Sequence, residues 1–192
     1  MTLSWLVGFT GLAALYALLA TSLGLALARR AGWVHSWRSA PFWLSTLFFV
    51  FLTQHPFPDP LRLDCPVASA VPQLRPFLFW NSGVTLYRTG AGVAEWLGNK
   101  TIMATAMNFV VCAVIGATLT RHTSRIPRAL MFGSALTIAV EMTQLTGLWG
   151  LYPCAYRQFN VDDIMLNFLG VIFGFVILRA ITLMRKGTDR HE

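Results

Sequence analysis

From Met1 to Ala28 no side chain carries a charge, and Arg29-Arg30 then ends the run. A helix of that length that is apolar on every face has no side to turn toward water, so it belongs in a bilayer, whose hydrocarbon core takes about 20 residues to cross. With a window of about 19 residues, similar stretches recur at 38–56, 101–120, 129–149 and 162–184, which together with 3–28 gives five expected spans. The 38–56 stretch is the shortest. It starts near Pro41, tolerated in a first helical turn, and the prolines of HPFPDP stop it. Charged residues are 12% of the chain, about half the share in a soluble domain, so the expected fold is all-α, a polytopic transmembrane helix bundle. MTLSW lacks the basic start of a secretory signal, and the apolar run is too long for an h-region and has no convincing small-residue cleavage site before Arg29-Arg30, so the first span is expected to stay.

The net charge of +7 is a topology signal. Its cations fall in three clusters: Arg29, Arg30 and Arg38; Arg121, Arg125 and Arg128; and Arg179, Arg185, Lys186 and Arg190. Five spans put all three on one side, which positive-inside bias makes cytoplasmic, with the N-terminus outside, the C-terminus inside, and external connections over roughly 57–100 and 150–161. The clusters form no stripe interleaved with aromatics, so nucleic acid is not an expected partner. In the long connection, PFLFW suits the headgroup level of the outer leaflet, and a short amphipathic helix is expected around Val84 to Leu97.

Several polar residues do not belong in lipid. Glu141, in TIAVEMTQLTGLWG, costs several kcal/mol there unless it has a partner or a water-filled cavity. At about 1.5 Å per residue it lies roughly 12 Å below the outer boundary, Asn108 roughly 10 Å and Asn167 roughly 8 Å, with Gln144 one turn above Glu141 on the same face. On the last span Asp163, Asn167, Gly170 and Gly174 share a face whose small residues admit a close neighbour. Arg157 reaches the same mouth, so Asn108, Glu141, Gln144, Arg157, Asp163 and Asn167 are expected to line one polar pocket open to the outside. Phe77, of PFLFW, joins them as a substrate contact, beside its reading as an interfacial turn.

Plainer roles stand beside these. Asn160 suits an N-cap with Asp163 at N3, and both Asp162 and Asp163 suit the positive end of a helix. Glu141 suits a protonated glutamate tying helices together, and Asn108 and Asn167 suit interhelical hydrogen bonds. His35, His55, His122 and His191 are scattered without metal spacing, so no metal and no cofactor is expected. Cys112 falls within a span, whereas Cys65 and Cys154 fall in the two external connections, where an oxidising compartment would allow them to pair.

The stretch from Gln73 to Phe175 resembles the VanZ-like membrane proteins, a family named after an accessory teicoplanin-resistance protein of glycopeptide-resistant bacteria. Its external Asn-Leu-x-Pro-Phe is matched by Gln73-Leu74-Arg75-Pro76-Phe77, its Asn-x7-Gly helix by Asn108 to Gly116, and its Glu-x-x-Gln helix by Glu141 to Gln144. The family's Arg-x-Phe-Asp-x-x-Asp-x-x-x-Asn-x-x-Gly is matched by Arg157 to Gly170. Gln73 stands for the usual Asn, Val114 for a typical Pro, and Asn160 for the first Asp, which puts any role needing that carboxylate in doubt. The resemblance implies a cell-envelope protein of the bacterial inner (plasma) membrane, multi-pass and linked to glycopeptide antibiotic resistance.

One membrane domain over 1–192 is expected: two N-terminal spans in 1–56, an external connection over 57–100, a VanZ-like three-span core over 101–184, and a cytoplasmic tail over 185–192. The expected partner is a membrane lipid or lipid-linked, amphiphilic substrate, with Glu141 and Asp163 the candidate acid and base if there is chemistry. No nucleophile motif is present, and two carboxylates do not decide between binding and catalysis. The alternative is a non-catalytic accessory subunit partnered with other membrane protein subunits, suggested by Gly8-x-x-Gly11 and Ser22-x-Gly24 in the first span. A channel or transporter fits less well, because polar residues do not continue through the inner halves of the spans.

Overall fold

The structure, a computed structural model, describes residues 3–33, 36–57, 59, 65 and 71–188. His35, Arg190 and His191 lie outside the described residues, as does most of 58–70 in the long connection. The described chain is all-helical: α1 (Leu3–Arg30), a 3-10 turn (Ser36–Ser39), α2 (Ala40–Gln54), α3 (Leu78–Arg88), α4 (Val93–Gly98), α5 (Lys100–Leu119), α6 (Ile126–Leu145) and α7 (Val161–Thr188). Among the described residues no strand forms, and one isolated parallel bridge joins Gln73 to Asn160.

Local chemistry sets the helix ends. Pro41 and Pro127 sit in the first turns of α2 and α6, where a missing N–H costs nothing. The Asn99 side chain caps α5 by accepting from the Ile102 N–H at 3.1 Å. The amphipathic helix expected around Val84 to Leu97 is two helices, α3 and α4, parted where Gly90 takes φ 66°. The span expected over 129–149 stops at Leu145, because Gly147, Leu148, Trp149 and Gly150 all take left-handed backbone angles. At Gly147 a Cβ would crowd the Cys154 carbonyl, so the turn needs glycine twice over.

Three helices are long and apolar enough to cross a membrane: Val7–Arg30, Lys100–Leu119 and Val161–Arg185. The other two expected spans fall short for separate reasons. The 15 residues of α2 reach about 22 Å, less than a bilayer core of about 30 Å, and α6 carries Glu141 and Gln144 in its last turns. All five long helices carry exposed large apolar side chains, such as Leu19 and Leu23 on α1, Trp43 on α2, Val110 on α5, Met131 on α6 and Phe173 on α7, a surface made for lipid rather than water.

The core joins α2, α5, α6 and α7 through Phe49, Cys112, Ile115, Val140, Val171 and Phe175. Its tightest seam lies between α5 and α7. A Cβ on Gly116 would overlap the Val171 carbonyl, and one on Gly174 the Ala113 carbonyl, so the two backbones touch directly. The face that carries Asp163, Asn167, Gly170 and Gly174 is therefore the face turned to α5.

Candidate functional site

The first turns of α1, α5 and α7 and the last turns of α2 and α6 gather at one end of the bundle, around a cavity of about 710 Å³. Asn108 of α5, Glu141 and Gln144 of α6, Arg157 of the 150–160 connection and Asp163 of α7 all line it, with Lys100, Gln158 and Asn160. Phe9, Leu52, Met103 and Met107 give it an apolar wall. The cavity lining thus combines two carboxylates and two cations with hydrocarbon and thioether.

Two of the expected site residues stand elsewhere. Asn167, one turn below Asp163, is outside the lining and completely buried, and neither of its amide atoms has a hydrogen-bond partner. Phe77 is also outside the lining; the residue is 59% exposed, and its contribution is a backbone N–H.

That N–H leads to Asp162. Its Oδ1 accepts from the Phe77 N–H at 2.5 Å and its Oδ2 from the Phe79 N–H at 3.1 Å, so the buried carboxylate caps α3 rather than its own helix. Phe77, at φ 63°, turns the chain so that both amides point the same way. The capping expected within α7 is also shared out differently. Asn160 Oδ1 accepts from the Asp162 N–H at 3.0 Å, but the Asn160 N–H donates at 2.8 Å to Glu141 Oε2 of α6 instead of to Asp163 at N3. Asp163 is thereby left within hydrogen-bonding reach of the Asn108 and Asn160 side chains and facing the cavity.

The segment before α3 is laid against the start of α7. The Gln73 N–H donates to the Phe159 carbonyl at 2.8 Å, the Val161 N–H to the Gln73 carbonyl at 3.0 Å, and Gln73 Nε2 to Asn160 Oδ1 at 3.1 Å. Two of the three positions that depart from the VanZ-like pattern, Gln73 and Asn160, are thus hydrogen-bond partners. Cys65 and Cys154 are joined in a disulfide, with Cα atoms 5.8 Å apart, linking the two connections a second time.

Two contributors are hidden in the sequence. Gln54, which reads as the end of α2, is buried: its Nε2 donates to the Val140 carbonyl at 3.4 Å and its Oε1 accepts from the Tyr156 hydroxyl at 2.5 Å. Gln144 Nε2 answers by donating to the Thr53 carbonyl at 2.9 Å. Arg157 donates to the His55 carbonyl at 2.6 Å. Burial depresses its guanidinium from the usual value while Tyr156, Asp163 and Glu141 oppose that, and it remains a cation at working pH. Burial pushes the Tyr156 phenol up to about 12, with Arg157 opposing, so it stays a neutral donor to Gln54. The sequence signal for Gln54 was an amide at the end of an otherwise apolar helix, at the depth of Gln144.

Chemically, the arrangement offers two cations, four amide side chains and two carboxylates to a polar group, and apolar lining to whatever that group is attached to. No curated protein and no solved structure matches this chain. The VanZ/LLP1 family model matches residues 42–184, a longer stretch than the Gln73 to Phe175 motifs. The match begins inside α2, leaves α1 out, and takes in every residue lining the cavity except Phe9. Matched over most of its length, this chain belongs to the VanZ/LLP1 family.

Proposed function

We propose that this is a five-span protein of the bacterial inner membrane, N-terminus outside and C-terminus cytoplasmic, whose cavity opens outward and binds or processes the polar head of a lipid-linked or amphiphilic molecule. The observation that carries this is the meeting of Glu141 and Asp163 with Asn108 and Arg157 around one space that also has a wall of Met103, Met107 and Phe9. Such a lining suits a molecule with a polar head and an apolar tail better than a fully soluble solute. The orientation draws support from the ends of the bundle: the Cys65–Cys154 disulfide is in the connections at the cavity end, as an oxidising exterior favours. Arg29, Arg30, Arg121 and Arg125 fall at the opposite helix ends, as cytoplasmic cations do.

In this reading Arg157 holds an anionic part of the head, and Glu141 and Asp163 are the acid and base if a bond is made or broken. Family membership supports an envelope setting related to glycopeptide resistance. The test is to replace Glu141 by Gln and Asp163 by Asn in cells and measure teicoplanin susceptibility and the envelope lipid profile at matched expression. A change in either is expected, and wild-type behaviour of both variants overturns the reading.

The alternative of an accessory subunit draws on α1, where nothing lies within 4 Å of a Cβ built on Gly8, Gly11 or Gly24, so the stripe is open to another helix. Purification in mild detergent separates the two: a stoichiometric complex favours the subunit and a lone chain the pocket.

A further inference from the structure

We propose that the molecule carries a seat for one acyl chain in the seam where α1 and α5 flank α2, directly below the polar cavity. This rests on the reading above and names the part of the amphiphile that the cavity leaves over. A second cavity of about 520 Å³ lies in that seam, walled by Ala14 and Leu18 of α1, Leu44 and Phe48 of α2, and Val111 and Val114 of α5. Two of these helices carry on into the polar cavity: Leu52 lies one turn outward of Phe48 on α2, and Met107 one turn outward of Val111 on α5, each on the same face. The two spaces therefore follow one another down one seam, polar at the outer end and hydrocarbon below.

The dimensions suit a chain of one leaflet. At 1.5 Å per residue, Met107 to Thr118 spans roughly 16 Å, about half of a bilayer core of about 30 Å. Toward its inner end Ser45 Oγ and Thr118 Oγ1 hydrogen-bond at 3.2 Å and join α2 to α5. It exists because α1 and α5 both pack on the short α2, and α1 does so through fully buried Ala13 and Ala17 beside small Ala14. One wall, α1, lies outside the family match, so this seat is a feature of the chain rather than of its matched region.

A groove in lipid gains nothing from the hydrophobic effect, since the surrounding tails are as apolar as its walls. What places a chain there is its attachment to a head held above. The exposed face of α7 at Phe173, Val176 and Ile177 is as apolar and serves as the comparison for bulk lipid.

The test uses cells expressing the full chain and fed palmitate bearing a diazirine, which enters every acyl lipid. After irradiation, labelled peptides are mapped by mass spectrometry. A several-fold excess of label on Leu18, Phe48 and Val114 over the Phe173 to Ile177 face is expected. Val114→Trp, and separately Ala14→Phe, should abolish that excess while labelling of α7 and the disulfide, which report the fold, stay as they are. Equal labelling of seam and α7, or an excess that survives both filled variants, overturns the seat. If the seat fails while Glu141→Gln still alters teicoplanin susceptibility, only this inference falls. If the excess is present and Glu141→Gln changes neither it nor susceptibility, the head-group reading falls with the coupling.

Discussion

The two halves of this bundle are held together by different means. Inward of the cavity, α5 and α7 meet backbone to backbone at Gly116 and Gly174, over a core of Phe49, Ile115 and Phe175. Around the cavity the ties between elements are polar: Glu141 to the Asn160 N–H, Gln144 to the Thr53 carbonyl, Gln54 to the Val140 carbonyl, and Arg157 to the His55 carbonyl. The contrast follows from the solvent. In hydrocarbon, apolar side chains gain little by leaving lipid for each other, so adhesion comes from close approach or from hydrogen bonds. Close approach leaves no room for a guest, and a hydrogen-bonded rim does.

Gly174→Leu is the harshest way to break the contrast, because its side chain meets the Ala113 backbone and no rotamer avoids it. A loss of more than about 3 kcal/mol is expected, read as a collapse of the melting temperature in detergent that takes both halves with it. Reducing the disulfide, or replacing Cys65 and Cys154 by Ser, should cost about 3 kcal/mol through the freed loop. Its signature is selective: hydrogen exchange rises in the 150–160 connection and at the start of α7, and stays low at Ile115 and Phe175. Asp162→Ala should cost about 2 kcal/mol by stranding two amides, and the amides of Phe77 and Phe79 should be the ones that gain exchange.

Tyr156→Phe sharpens the comparison at the smallest scale, removing one hydrogen bond to Gln54 for about 1 kcal/mol. It also predicts a pH effect of known sign. The folded phenol titrates at about 12 against an ordinary 10.0, so its neutral form is the one the fold favours. The stability it contributes is complete below the ordinary value and is lost as pH climbs from there through the folded value. A melting series over that window should slope downward in the wild type more steeply than in Tyr156→Phe.

Much of this was legible in the sequence, and the limit has a physical form. Charge-free runs placed α1, α5 and α7, since lipid imposes its demand on every residue of a span. Periodicity placed Gly170 and Gly174 on the face that meets α5, and put Glu141 and Gln144 one turn apart. Hidden were the bonds whose partners lie far along the chain. Asp162 beside Asp163 reads as a local cap, and nothing in its spacing tells of Phe77, 85 residues away. Glu141 takes the N–H that an N3 residue takes in a local capping box, which only the approach of α6 to α7 reveals. The left-handed turn after Leu145 was obscured because Leu148 and Trp149 occupy angles that their side chains disfavour.

The long and short connections at the cavity end are clasped twice, by the Cys65–Cys154 bond and by the pairing of Gln73 with Phe159 and Val161. At those two points they are tied, so the stretch around Gln73 cannot swing aside like a hinged flap while the 150–160 segment stays put. On the function proposed above, an amphiphile would therefore arrive more easily sideways, slipping between the rods, than by lifting that roof.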